Sequence, residues 1–290
     1  MKIRNPYRNL AHWFRGNTHT HSTLSDGERP LEQVVTFYRE RGYAFLAMTD
    51  HDLFTDLGRF TTPDFLALSS DEVTVRGRHH IVGLNLRGPV ASFTDHQSTI
   101  NAISDHGGLA ILAHPLWSSF SVERCLGLHG YGAIEILNVV CNYLEYNGFA
   151  LQYWDELLKQ GVRVWGVAAD DAHRIPYQAG KGWIVVNAER LTAGEIVGNI
   201  RAGNFYASSG PTLERFEVNG NTIRVQCSPA IEIRFMNGGV NPAARIRGEA
   251  LTRAEYTPRP TDPYVRIEVV DAQMQSAWSQ PLFIDPDWRP

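Results

Sequence analysis

Short apolar runs that do not alternate with polar residues recur along the first 210 residues, and stretches with helical spacing separate them. Residues 43–48 and 109–113 have the composition of strands buried on both faces. Ahead of the first, residues 30–41 place Leu31, Val34, Val35 and Tyr38 at helical spacing behind Pro30, with Gly42 as the stop. Residues 65–69 and 72–75 read as strands, 76–78 as a turn and 80–86 as a returning strand. Helices are expected over 98–106 and 149–160, each closed by glycine, and strands over 132–140, 162–169 and 181–187. Thr192-Ala193-Gly194-Glu195 has the capping-box pattern for a helix running to about Ala202.

From Pro211 the texture changes. Residues 216–218, 222–225, 231–235 and 264–269 alternate apolar with polar between Asn-Gly, Gly-Gly and Pro-rich turns, the pattern of antiparallel strands with one wet face. Residues 277–283 read as a further sandwich strand. The chain is therefore read as an α/β domain over 1–210 and a small β-sandwich-like domain over 211–290. Strands alternating with helices fit a (β/α) barrel with its site at the C-terminal strand ends, or a doubly wound sheet.

Composition narrows the class without naming a function. With 290 residues, 43% hydrophobic and 20% charged, the chain is neither disordered nor membranous in type. A net charge of -4 gives no overall reason to bind nucleic acid or anionic membranes. No run approaches a membrane span and no signal-peptide core follows the basic start, so a cytoplasmic location is expected. Three cysteines at wide spacings, Cys125, Cys141 and Cys227, indicate neither a disulfide framework nor a zinc knuckle, and are taken as structural.

The candidate chemistry sits at the ends of the β-like runs. His19 and His21 are two apart, so in an extended segment they share a face; alone, such a pair is either a metal grip or two unrelated polar residues. Thr49-Asp50-His51, Asp71-Glu72, His79-His80, Ala113-His114-Pro115 and Asp171-Ala172-His173 repeat the theme at distant points that a barrel would bring together. His79 is expected to point away from His80, as an exposed turn residue.

In this order, His19-x-His21, Ser25-Asp26-Gly27, Thr49-Asp50-His51, Glu72, His80-Ile81-Val82-Gly83, His114-Pro115 and Asp171-x-His173 closely resemble the PHP family, the polymerase and histidinol phosphatase superfamily of metal-dependent phosphoesterases. The resemblance covers roughly residues 14–210. It implies a distorted (β/α)7 barrel with two or three divalent ions at its mouth. By that resemblance His19, His21, Glu72 and Asp171 surround one ion, Glu72 bridges to a second completed by His80 and His114, and Asp26, His51 and His173 hold a third. Many members have histidine where this chain has Asp26, which implies a weaker or differently selective third site.

A ligand set of imidazole and carboxylate without thiolate suits Mn, Fe or Zn. Leaving-group protonation would fall to Asp50, His173 or water, with Asp50 equally readable as a carboxylate that orients a ligand histidine. Asn138, near Glu135 on a strand end, Arg174, Lys181 and Trp117 are the candidate substrate contacts; against this, Arg174 and Lys181 could be solvated and Asn138 could close a buried strand. The expected activity is hydrolysis of a small phosphorylated molecule, a nucleotide or sugar phosphate. The alternatives are a metal-dependent hydrolase of an amide or lactone, or a catalytically silent metal-binding scaffold. The expected partner is that small substrate, with no membrane and no nucleic acid; the oligomeric state is not legible.

Overall fold

A computed structural model of the chain describes residues 2–92 and 95–285. Strand β1 (Lys2–Arg4) precedes β2 (His12–Asn17), α1 (Leu31–Glu40), β3 (Phe45–Met48) and β4 (Leu66–Ser69). Helix α1 buries Leu31, Val34, Val35 and Tyr38, the residues its spacing selected, in one cluster with Leu46 and Met48 of β3. Strands β2, β3 and β4 are parallel, with Gly16 opposite Phe45 and Phe45 opposite Leu66.

Across Ser70 the chain enters a second sheet built from β5 (Asp71–Val75), β6 (His79–Leu84), β7 (Leu109–Leu112), β8 (Ala133–Asn138) and β9 (Trp165–Ala169), in that order. The β5–β6 and β6–β7 pairs are antiparallel and the β7–β8 and β8–β9 pairs parallel. Between them lie α2 (His96–Asp105), α3 (Val122–Leu126), α4 (Val139–Glu145) and α5 (Leu151–Lys159). Three of these are capped from the sequence: Asp95, Ser121 and Asn138 accept from the backbone three residues on. The largest core cluster joins residues of both sheets, including Phe45, Ile111, Ile134, Val167 and Val186.

Strand β10 (Trp183–Ala188), helix α6 (Ala193–Ala202) and β11 (Phe205–Ser208) return to the first sheet, both strands antiparallel to their neighbours. Thr192 caps α6, its hydroxyl accepting from Glu195 N at 3.4 Å. Beyond Pro211 lie β12 (Leu213–Asn219), β13 (Thr222–Met236), β14 (Ala244–Tyr256), β15 (Tyr264–Val270), β16 (Ser276–Ser279) and β17 (Leu282–Asp285). The sheet does not break there: β11 pairs with β16, Tyr206 opposite Ser279, and β1 pairs with β17.

The (β/α)7 barrel implied by the resemblance is not closed by a continuous ladder among the described residues; the architecture is mixed α/β with two sheets. Isolated parallel bridges connect them instead, Thr20 with Ala172 and His51 with Glu72. The hydrogen bonds at this rim run from Asp171 N to His19 O (2.9 Å), His21 N to Ala172 O (3.1 Å) and Asp52 N to Glu72 O (3.2 Å). Every one of these segments carries a candidate ligand.

Candidate metal centre and substrate cavity

The strand directions explain why side chains so far apart in sequence meet. Beyond the C-terminal end of β2 come His19 and His21, beyond β3 comes His51, beyond β7 comes His114, and beyond β9 come Asp171 and His173. His80 arrives from the start of β6 because that strand runs the other way. His114 and Asp171 both take positive φ, 27° and 53°, which non-glycine residues rarely adopt and which cluster at functional sites.

Glu72 lies at the centre, fully buried, and its two oxygens face different partners. Oε2 is 3.0 Å from His19 Nε2, 3.2 Å from His21 Nε2 and 3.3 Å from His51 Nδ1. Oε1 is 2.9 Å from both His80 Nδ1 and His114 Nε2, which are 3.2 Å from each other. Asp171 Oδ1 completes the first group at 3.2 Å from His19 Nε2 and 3.0 Å from His21 Nε2. A third group gathers round Asp26, whose Oδ2 is 3.2 Å from His173 Nε2 and 3.6 Å from His51 Nε2, with His21 Nδ1 3.6 Å from Oδ1.

The donor set fits divalent cations. Although carboxylate oxygens surround them, His19 Nε2 and His51 Nδ1 are buried without a hydrogen-bond partner, so their lone pairs converge on shared points rather than on one another. Imidazole and carboxylate without sulfur are what Mn, Fe or Zn takes. The charges also call for a cation. Burial by itself would keep His19 and His21 neutral, yet Asp171 and Glu72 raise both, His21 to about 9. Burial likewise opposes ionisation of Glu72, but the facing histidines hold it well below the ordinary carboxylate range. Next to it, burial and the nearby Asp52 push Asp71 up to about 7.

Glu135 and Asn138 fix the cluster from behind. Glu135 Oε1 is 2.7 Å from His19 Nδ1, the hydrogen bond that leaves Nε2 for a metal, and Oε2 accepts from His114 N at 2.8 Å. The Asn138 amide donates to Glu135 Oε2 at 2.8 Å and Asp171 Oδ2 at 3.0 Å, and its Oδ1 caps α4 through Cys141 N. Asn138 is therefore buried beneath the ligands with its polar atoms engaged, and does not face substrate as the sequence suggested.

The cavity above the cluster has a volume of about 430 Å³ and is lined by Asp26, Glu28, His51, Glu72, His80, His114, Trp117, Val140, Cys141, Leu144, Glu145, Asp171, His173, Arg174 and Gln178. Of the expected contacts, Trp117 stands edge-on to the His114 ring at 4.9 Å, and Arg174 reaches the wall while paired with Glu28 at 3.0 Å. Lys181 does not line the cavity; its ammonium lies 5.7 Å from the Tyr143 ring centre, and its backbone N donates to Asp170. Asp50 is also outside the lining. It is buried and accepts from Ser22 N, Ser22 Oγ and Ser25 Oγ, each at 2.8 Å, which folds the loop after His21 and makes it a positioning carboxylate rather than an acid aimed at substrate. His173 does line the cavity, its Nδ1 2.8 Å from the Asp171 carbonyl. His79 is half-buried rather than exposed, Nδ1 lying 2.9 Å from His96 Nε2 and away from the cluster.

Sequence reasoning missed Asp170, which accepts from Asn17, Tyr38 and the backbone N–H groups of Gly180, Lys181 and Gly182 and so holds the segment after the last motif. Burial pushes its carboxyl up and those donors pull it back. Its signal was plain, a second carboxylate beside Asp171.

No family model matches the chain, and no curated protein matches it. Among solved structures, the chain shares its fold with a two-domain protein of Bacteroides vulgatus described as containing a predicted PHP-like metal-dependent phosphoesterase: 14% identity, TM-score 0.56, covering 98% of this chain and 100% of that one. A candidate metal-dependent phosphoesterase of Bifidobacterium adolescentis matches at 14% identity and TM-score 0.46, over 64% of this chain and 94% of that chain. An amidohydrolase of Chromobacterium violaceum with bound sulfate matches at 18% and 0.43, over 57% and 89%.

Proposed function

We propose that this chain is a PHP-like metal-dependent phosphoesterase that hydrolyses a small phosphorylated metabolite. One observation carries the reading: the two oxygens of Glu72 face two separate sets of histidines, the disposition of a carboxylate shared by two ions. His19, His21, Glu72 and Asp171 would hold one ion, Glu72, His80 and His114 a second, and Asp26, His51 and His173 a third. When bound, such ions supply an activated water at neutral pH and neutralise charge on phosphate oxygens. Arg174 would meet the phosphate once substrate competes with Glu28, and the leaving group would take its proton from His173 when the third site holds no ion and from water when His173 is a ligand there. Cytoplasmic residence is part of the proposal, in keeping with three buried, unbridged cysteines; no helix among the described residues is long and apolar enough to cross a membrane.

One feature favours a second reading, hydrolysis of an amide or lactone: Arg174 is the only arginine or lysine among the described residues that line the cavity, and it is already paired with an acid. The deciding experiment is phosphate release by the Mn-loaded protein from a monoester, a diester and a nucleotide panel, with His19→Ala as control. Turnover absent from the control supports the phosphoesterase; metal bound without release from any ester transfers the assignment to the second reading.

A further inference from the structure

The chain leaves the metal cluster at Asn138, forms α4 and comes back to the same point. Asn138 N donates to Gly148 O at 2.9 Å and Leu137 bridges Phe149, so the excursion is closed at its neck. A Cβ at Gly148 would overlap the Asn138 carbonyl oxygen and the Asn142 nitrogen, so only glycine allows this return. Because Asn138 also holds Glu135 and Asp171, the helix is registered against the ligands rather than free to drift.

This anchored element carries large apolar side chains into the open. Tyr143 is 66% exposed, Leu144 58% and Tyr146 91%, a concentration within a few residues that isolated surface apolar groups do not explain. On the cavity side, Val140, Cys141 and Leu144 form the wall, and Trp117 adds an aromatic ring held by Arg78 4.7 Å from its centre. Of the wall's carboxylates away from Glu72, Asp26 faces His173 and His51 and Glu28 pairs with Arg174, while Glu145 follows Leu144 at the end of α4. The uncharged polar side chain in the wall, Gln178, has its carbonyl oxygen engaged by the backbone N–H groups of His173 and Arg174.

We infer that α4 and Trp117 form an apolar subsite continuous with the metal cluster, and that the organic part of the substrate is a flat, uncharged aromatic group rather than a polyol such as a sugar. This rests on the phosphoester reading and narrows it. A phosphate at the ligand cluster would leave its ester group against Leu144, Val140 and Trp117, where an aromatic ring exchanges water for apolar contact and a sugar hydroxyl loses water without gaining a partner.

The test uses the metal-loaded full chain and two phosphonates that cannot be hydrolysed, 2-phenylethylphosphonate and 2,3-dihydroxypropylphosphonate, with dissociation constants from titration calorimetry. The aromatic ligand is expected to bind about tenfold more tightly. Leu144→Asn should bring the two within about threefold by weakening the aromatic ligand alone, while Leu144→Met keeps the preference. Equal affinities in the unaltered protein, an unchanged preference in Leu144→Asn, or loss of both ligands in that variant would each overturn the subsite. Phosphate release from 2-phenylethyl phosphate is read in parallel. Aromatic preference without release leaves the subsite standing and removes the phosphoesterase; release without preference does the reverse.

Discussion

Glu135 shows how much of the site depends on a side chain that touches no substrate. One of its oxygens faces His19 Nδ1 and the other takes two N–H groups, from His114 and Asn138. Glu135→Gln keeps the size but turns one of those oxygens into an NH2, which either sets donors against donors or leaves His19 without its acceptor. The expected result is a metal affinity lower by roughly 10- to 100-fold, read by chelator competition, and a stability loss of about 1–3 kcal/mol in urea unfolding. Unchanged metal affinity would remove Glu135 from the account. The ligand residues themselves were legible because each follows an apolar run, and a strand end fixes where the next side chain goes. The role of Asn138 was not: a polar residue closing a strand reads the same whether it faces a substrate or the underside of a ligand.

Strand polarity was the main thing hidden at the level of elements. The turn at 76–78 gave away the return of β6, but a buried apolar run looks alike in a parallel or an antiparallel neighbourhood, so the antiparallel β10 and β11 could not be told from their residues. Strand β14 was missed outright, since Ala244–Tyr256 is dominated by Arg, Glu and Ala without an apolar run. The pattern also divided β13 at Ser228-Pro229, where the structure has one strand with irregular pairing between Gln226 and Ala230. Helix α4 was concealed because residues 132–140 continue as apolar past the point where Asn138 ends the strand and caps the helix. Its return glycine offers a direct test. Gly148→Ala must move backbone, and a cost of about 1–3 kcal/mol is expected, with the larger change in substrate KM and little change in bound metal. A variant as stable and as active as the parent would mean that the neck does not hold α4.

For the molecule as a whole, the texture change at Pro211 marks a turn but not an end of pairing, because β16 and β17 carry the sheet on to β11 and β1. Tyr264 and Trp278, beyond that turn, lie in the same core cluster as the strands around the site. The strongest polar tie across it is Asp155 on α5, which accepts from Arg266 at 2.7 and 2.5 Å and from Tyr264 OH at 2.7 Å. Arg266 is only 1% exposed, so Asp155→Ala strands a buried cation, with Glu268 3.5 Å away as its remaining acid. A loss of roughly 3–5 kcal/mol is expected in chemical denaturation, whereas a loss below about 1 kcal/mol would mean that water reaches the guanidinium.

The rim where Thr20 meets Ala172 and His51 meets Glu72 has a consequence for the protein's lifetime. Those bridges are single, and the residues that make or adjoin them are the ones that would share the ions. Bound metal would therefore fasten two sheets that the backbone alone joins sparingly, and chelation should open the Arg174–Ile175 and Lys181–Gly182 bonds to trypsin well before the β13–β14 hairpin, since ligand bound only to the folded form adds directly to its stability. Cleavage unaffected by chelator would contradict this. In a cell, metal supply would then govern how long each molecule survives as well as how fast it turns over.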